Sequence, residues 1–213
     1  VMHFGILNSL RAWNFFQLND SIETSCNVGG FGIDGGLSTL LGSSLARPDK
    51  LHFGVFGDLA FFYDMNCLGN RHVGNNLRII LINNAVGSEF KLYSHPASKL
   101  GNEADEYIAA ARHYGNKSPL LVKHFSEDLG FKYLSACSKE EFLALSPQFT
   151  AADSDRPILF EVFTSAEDES KALYAMNNII VPKEAVLKDM IKGVIGMKNN
   201  HVISKIAKSL KNK

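Results

Sequence analysis

The sequence predicts an α/β domain built as a doubly wound parallel sheet with helices on both faces. Two continuous apolar runs, residues 51–58 and 78–84, have the length and the aliphatic and aromatic content of strands buried on both sides. Between them, residues 59–69 carry apolar side chains at helical spacing, so the unit is strand, helix, parallel strand with a right-handed crossover. The same alternation of strand-like and helix-like stretches resumes after Asn102 and continues to Asn177.

Taken in order, residues 4–18 place Ile6, Leu10, Trp13 and Phe16 largely on one face, which predicts a core-packing helix ended by Asn19-Asp20-Ser21. Residues 22–26 predict a short strand that leads into Asn27-Val-Gly-Gly-Phe-Gly-Ile-Asp-Gly-Gly36, a loop with five glycines. Glycine permits positive φ and close approach of backbone to a ligand. The helix predicted over 37–46 therefore offers an N-terminus able to receive phosphate oxygens. After Asn84 comes a loop rich in turn formers, 91–102, with Tyr93, His95 and Pro96. Helices are then predicted over 103–114, 119–128, 139–145 and 167–177, with strands over 131–136 and 156–163.

With 213 residues and 46% apolar content the chain can bury a sizeable core. The expected organisation is one domain over 1–181 and a basic helical tail over 182–213, where eight lysines face only Glu184 and Asp189. Such a tail is more often a solvated terminal helix than a membrane or partner contact. The Val1-Met2 opening suggests a processed or excised fragment. Twenty-two basic residues balance 22 acidic ones, which argues against a general nucleic-acid binder. Cys26, Cys67 and Cys137 lie in no metal-binding spacing and read as reduced thiols packed as small hydrophobes, in a cytoplasmic setting. No apolar run reaches the ~18 residues of a membrane span, so a soluble protein is expected.

The chemistry concentrates at Asp58 and Asn84. Both leave the carboxyl ends of consecutive strands, the edge at which open α/β sheets bind ligands. A Gly-Asp after a strand, or an Asn-Asn pair in a loop, is usually only a turn. Together they pair a carboxylate oxygen with an amide oxygen. Mg²⁺ favours such hard donors and typically takes one or two carboxylates from protein and the rest from phosphate and water, so a diphosphate-bound metal fits.

Gly57-Asp58 followed one crossover later by Asn83-Asn84 resembles the motif of thiamine diphosphate-dependent enzymes, and the resemblance extends over residues 22–162. Gly32-Ile-Asp-Gly35 with Ser38-Thr39, and Gly57-Asp-Leu, resemble in particular the family of 2-succinyl-5-enolpyruvyl-6-hydroxy-3-cyclohexene-1-carboxylate synthases of the menaquinone pathway. The resemblance implies the thiamine diphosphate-binding fold, a six-stranded sheet of order 2-1-3-4-6-5, in its C-terminal diphosphate-binding domain. It also implies a cofactor site of Gly32, Ile33, Asp34, Gly35, Gly57, Asp58, Leu59, Ala60, Asn84, Val86 and Gly87. Within that site Ile33 would be the apolar wedge that bends the cofactor. Asp58, Asn84 and the Val86 backbone carbonyl would hold Mg²⁺.

The departures fall on the substrate side. Val28 stands where that family has a carboxylate-binding Arg, Val86 where it has Gly, and Glu89 beside Phe90 where it presents an apolar residue to substrate. A carboxylate there would repel an anionic acceptor unless paired or protonated. Asn8-Ser9 resembles a substrate-contacting pair, though a helix N-cap explains it equally. His95, in the segment that covers the cofactor in related enzymes, is a candidate acid or base together with Glu89, although most histidines on such loops are solvated. Glu161 and Asp168 read as solvated surface.

In this superfamily a Glu on a separate pyrimidine-binding domain activates the cofactor, and no such domain fits within these 213 residues. The chain thus reads as one half of a 2-oxo-acid decarboxylase or carboligase, inactive without a pyrimidine-binding domain or subunit. It would assemble as a homo- or hetero-oligomer through a face that includes part of the 59–68 helix. The alternative is a non-catalytic domain kept for assembly or cofactor sensing. The joint presence of Ile33, Asp58 and Asn84 favours the first.

Overall fold

The computed structural model describes residues 1–30, 32–108 and 118–179. Two compact units divide the chain, Val1–Leu173 and Tyr174–Lys213, and only the first six residues of the second are described. The tail expected over 182–213 lies outside the described residues, as does the second half, 109–114, of the helix expected over 103–114.

The first unit holds a six-stranded, all-parallel sheet. Its strands are β1 (Met2–Phe4), β2 (Thr24–Cys26), β3 (His52–Gly57), β4 (Leu77–Asn83), β5 (Lys132–Ala136) and β6 (Ile158–Phe163), in the spatial order β2-β1-β3-β4-β6-β5. This is the order implied by the family resemblance. Along the central pair the register runs from His52 opposite Leu77 to Gly57 opposite Ile82, which brings Asp58 and Asn84 to neighbouring strand ends.

Helices cover both faces because the strands alternate apolar side chains to both sides. Leu77, Ile79, Leu81 and Leu159 pack on one face with Leu37 and Leu40 of α2 (Gly36–Ala46), Phe61 of α3 (Asp58–Asp64) and Val122. Ile158, Phe160, Ile80 and Phe53 pack on the other with Phe142, Leu145 and Phe149. Gly54 is required in β3, since a Cβ there would stand 2.5 Å from both Leu40 Cδ2 and Phe56 Cε2.

The N-terminus differs from its sequence reading. Phe4, expected to open a helix over 4–18, instead ends β1, which is seated between β2 and β3, and the helix α1 is short, Asn8–Trp13. Backbone pairing on both sides outweighs the helical periodicity that continues through Phe4, and Trp13 instead packs on Phe4 with ring centroids 5.3 Å apart. The helix expected over 59–69 divides into α3 and a 3₁₀ turn, Met65–Gly69. Among the described residues the remaining α-helices are α4 (Ala104–Tyr107), α5 (Leu121–Asp128), α6 (Lys139–Thr150) and α7 (Ala166–Asn177). α6 runs through Pro147, past its expected end at Leu145, because Phe149 is drawn into the core. Among the described residues no helix is long and apolar enough to cross a membrane. The three cysteines are free thiols, and burial pushes Cys67 up to about 11.

Candidate functional site

The two central strands converge on one site at their carboxyl ends. β3 ends at Gly57, and Asp58 opens α3 with its side chain 2% exposed, its Oδ1 accepting the Leu59 N–H at 2.8 Å. Leu59 and Ala60 complete the first turn, where a carboxylate is favoured by the helix dipole. β4 ends at Asn83, and the chain turns through Ala85 at φ 62°. Two side-chain amides hold that turn. Asn83 Oδ1 accepts the Ala85 N–H at 3.2 Å, and Asn84 Oδ1 accepts the Val86 N–H at 3.0 Å. Gly87 then starts the 3₁₀ turn Ser88–Lys91.

Asn84 Nδ2 donates to both carboxylate oxygens of Glu169 on α7, at 2.9 Å each, and Thr164 Oγ1 donates to the same carboxylate at 2.5 Å. Glu169 thereby fixes which way the amide faces. Neither Glu169 nor Thr164 stood out in the sequence, for nothing in a surface-helix acid signals a partner 85 residues away.

Glu161 corrects the sequence reading. It is fully buried rather than solvated, accepting from Asn83 Nδ2 and the Tyr133 hydroxyl, each at 2.6 Å. Burial first, and then the nearby Asp58 charge, raise its pKa despite these two hydrogen bonds. Tyr133 is raised in turn, by burial and by Glu161. Glu161 and Asn83 thus form a polar layer under the Ala85 turn. Asp168, by contrast, is exposed as expected, paired with Ser165 Oγ at the start of α7.

The glycine loop is placed as expected, but the N-terminus of α2 is partly occupied. Gly35 precedes the helix at φ 75°, a conformation that suits glycine. The Ser38 N–H and hydroxyl both donate to the Asp64 carboxylate, at 2.7 Å each. An internal carboxylate from the end of α3 therefore takes part of the expected phosphate-binding end. Gly32, Ile33 and Gly35 are half-buried and Asp34 is exposed.

The segment after Asn84 folds toward α1 and α7. Asn8 Nδ2 donates to Ser88 Oγ at 2.7 Å, and Arg11 forms a bidentate pair with Glu89. Glu89 is therefore paired, the condition under which its charge is tolerated near an anion. Lys91 pairs with Asp105, and the Tyr93 N–H donates to Ser170 Oγ at 3.0 Å. His95 packs edge-on against Phe90, and its Nδ1 accepts the Ala97 N–H at 3.1 Å. That bond makes His95 the cap of the turn Pro96–Glu103 and occupies the nitrogen a base would use; only Nε2 remains for substrate chemistry.

Among the described residues no three His, Cys, Asp and Glu side chains group into a metal-holding cluster. The oxygen donors at the strand ends are one carboxylate and one amide. They fit an ion such as Mg²⁺ that completes its shell from a diphosphate and water, and they do not fit a self-sufficient protein cage.

A parallel α/β domain with a buried carboxylate and an oriented amide on adjacent strand ends belongs to the class whose ligands bind at the carboxyl edge of the sheet. No family model matches the chain. It is 35% identical over 174 residues to the 2-succinyl-5-enolpyruvyl-6-hydroxy-3-cyclohexene-1-carboxylate synthase of Phocaeicola vulgatus, and 33% identical over 174 residues to that of Bacteroides fragilis, in each case 81% of this chain and 30% of the relative. The synthase of Christiangramia forsetii is 31% identical over 180 residues, 84% of this chain and 30% of its own. The chain is therefore a homologue of the 2-succinyl-5-enolpyruvyl-6-hydroxy-3-cyclohexene-1-carboxylate synthases. It spans about three tenths of the length of the curated relatives it matches. Among solved structures it is similar to the thiamine diphosphate-dependent 4-hydroxybenzoylformate decarboxylase of Rhodococcus jostii RHA1, at TM-score 0.44 and 23% identity, covering 61% of this chain and 23% of that one.

Proposed function

We propose that this chain is the diphosphate- and Mg²⁺-binding part of a thiamine diphosphate-dependent 2-oxo-acid decarboxylase or carboligase, with substrate-facing residues altered from those of the synthases it resembles. The observation that carries this reading is the placement of Asp58 and Asn84 on neighbouring parallel strand ends, within a chain homologous to those synthases. Asp58, Asn84 and the Val86 carbonyl would hold the metal. Residues 32–35, Gly57, Leu59, Ala60 and Gly87 would line the cofactor, with Ile33 against its rings. When bound, thiamine diphosphate supplies the nucleophilic carbon that decarboxylates 2-oxo acids.

The protein's own residues then have separable tasks. Asp58 would neutralise charge on the diphosphate side, and its burial would limit the access of water to the ion. Glu169 fixes the Asn84 amide with its oxygen on the Val86 side, and Asn83 with Glu161 supports the turn that would present the Val86 carbonyl. The segment 88–103, tied to α1 and α7 through Asn8, Arg11 and Ser170, would cover the cofactor. The carboxylate that activates the aminopyrimidine would come from a pyrimidine-binding domain or subunit, the expected partner.

The reading is tested by CO₂ release from pyruvate and 2-oxoglutarate, with cofactor and Mg²⁺. The chain alone is expected to be inactive, and to gain activity with a pyrimidine-binding partner. Turnover by the chain alone near ~1 s⁻¹, the low end for ordinary enzymes, would contradict it.

A further inference from the structure

The polar layer under the Ala85 turn extends past the two strands that enclose it. Leu81 of β4, Glu161 of β6 and Ser135 of β5 lie in one register row. Alternate residues of a strand share a face, so Asn83, toward the carboxyl edge, and Tyr133, toward the amino edge, lie on the same face as Glu161. The Glu161 carboxylate spans the two diagonally. Its Oε2 accepts the Tyr133 hydroxyl and its Oε1 accepts from Asn83 Nδ2, each at 2.6 Å, and Asn83 Oδ1 accepts the Ala85 N–H at 3.2 Å. A line of three hydrogen bonds thus runs from the edge strand β5, across β6, to the turn after β4.

The turn needs support because of the residue it carries. Ala85 sits at φ 62°, a region that, among the described non-glycine residues, it shares only with Leu7. A Cβ there crowds the following carbonyl, and glycine is the residue that adopts this backbone freely. Ala85 stays in it because its surroundings over-determine it. The Asn83 amide is one of those constraints, and Glu161 decides its orientation. Flipped, the amide would set its oxygen against a carboxylate and its NH₂ against the Ala85 N–H. Glu161 and Asn83 are 0% and 2% exposed, so a bond lost here is left unmade. Tyr133 holds the second oxygen of the carboxylate, and with it the carboxylate plane.

We infer that Tyr133 is a positioning residue: through Glu161 and Asn83 it holds Ala85 in the left-handed region and thereby sets the direction of the Val86 carbonyl. β6 separates β5 from β4, so the hydroxyl acts on the turn through the relay. That this carbonyl holds Mg²⁺ rests on the function proposed above; the hold of Tyr133 on the turn does not.

The test pairs Tyr133→Phe, which keeps the ring and removes the hydroxyl, with Ala85→Gly, which lets the turn form without support. In the full chain without cofactor or Mg²⁺, residue-resolved hydrogen exchange at the Ala85 and Val86 amides is expected to quicken about tenfold in Tyr133→Phe. With a pyrimidine-binding partner present, Mg²⁺-dependent thiamine diphosphate affinity, read by calorimetric titration, should fall about tenfold in Tyr133→Phe. It should return to within about threefold of wild type in Tyr133→Phe/Ala85→Gly, since glycine removes the need for the relay. A residue that only stabilises the fold would not be rescued by a glycine beyond the next strand. Unchanged exchange, affinity untouched by Tyr133→Phe, or a loss that Ala85→Gly leaves unrepaired overturns the inference. If wild type itself binds no thiamine diphosphate, the proposed function fails, and exchange at Ala85 and Val86 still decides whether Tyr133 holds the turn. Circular dichroism checks that each variant is folded. Should Tyr133→Phe not fold, Asn83→Ala replaces it in the same cycle, with the same outcomes deciding.

Discussion

The side-chain amide of Asn84 is held from both ends: its Nδ2 donates to the two oxygens of Glu169, and its Oδ1 accepts the Val86 N–H. Flipping the amide would set its oxygen against a carboxylate. The orientation of a candidate metal ligand is therefore decided by α7, a helix that contributes no ligand itself. Removing such a supporting partner typically costs ten- to a hundredfold in metal affinity. Glu169→Ala is expected to lower Mg²⁺-dependent thiamine diphosphate affinity by about that factor, read by calorimetric titration. Unchanged affinity would show that Glu169 does not set the amide.

Asp64 ties α3 to the start of α2 through the Ser38 N–H and hydroxyl. Its side chain is 9% exposed, so the two bonds are made largely out of water. Asp64→Ala is expected to destabilise the domain by about 2 kcal/mol, since hydrogen bonds to a charged acceptor outweigh neutral ones. The midpoint of urea unfolding measures it. A shift below about 0.5 kcal/mol would mean that water replaces the carboxylate without loss.

Gly54→Ala tests the packing of α2 on β3. A methyl group at that position collides with Leu40 and Phe56, both within the core. Overpacking of this kind costs about 1–3 kcal/mol, and the same unfolding measurement reads it.

Glu161 gives the stability a defined pH dependence. Its folded-state pKa is raised by burial and by Asp58, and the groups facing it are Asp58, Tyr133 and Asn83. A carboxyl with a raised folded-state pKa leaves the native state binding more protons than the unfolded one. Its contribution is full below the unfolded value near 4.5 and is lost as pH rises through the folded value. Between pH ~5 and ~8, wild type should therefore lose stability relative to Glu161→Gln, whose neutral amide can still meet Asn83 and Tyr133. Parallel pH profiles of the two proteins would show that Glu161 does not titrate in this way.

The sheet and the two strand-end residues were legible because β3 and β4 are buried on both faces, and such strands read as unbroken apolar runs with a polar residue where they stop. β1 was not legible: three residues, one of them His3, carry no periodicity, and its pairing with both neighbours is a long-range fact. Glu161 was misread by treating an acid in a strand as outward-facing. In Ile158–Phe163 both faces are covered, so a lone acid within that run signals a buried, hydrogen-bonded carboxyl. Arg78 follows the same logic at the other end of β4, fully buried and donating to the carbonyls of Asn75, Leu77 and Ala151. Glu169, Asp64 and Arg11 were beyond reach, since each acts through a partner distant in sequence.

The central claim is that Asp58 binds the metal that carries the diphosphate. Its most direct test is calorimetric titration of thiamine diphosphate into wild type and Asp58→Ala, each with Mg²⁺ and with EDTA, in the presence of a pyrimidine-binding partner. Wild type should bind only with Mg²⁺, and Asp58→Ala should lose that binding while keeping the far-ultraviolet circular dichroism of the folded chain. Equal affinity in the two proteins, or wild-type binding indifferent to EDTA, would contradict the assignment.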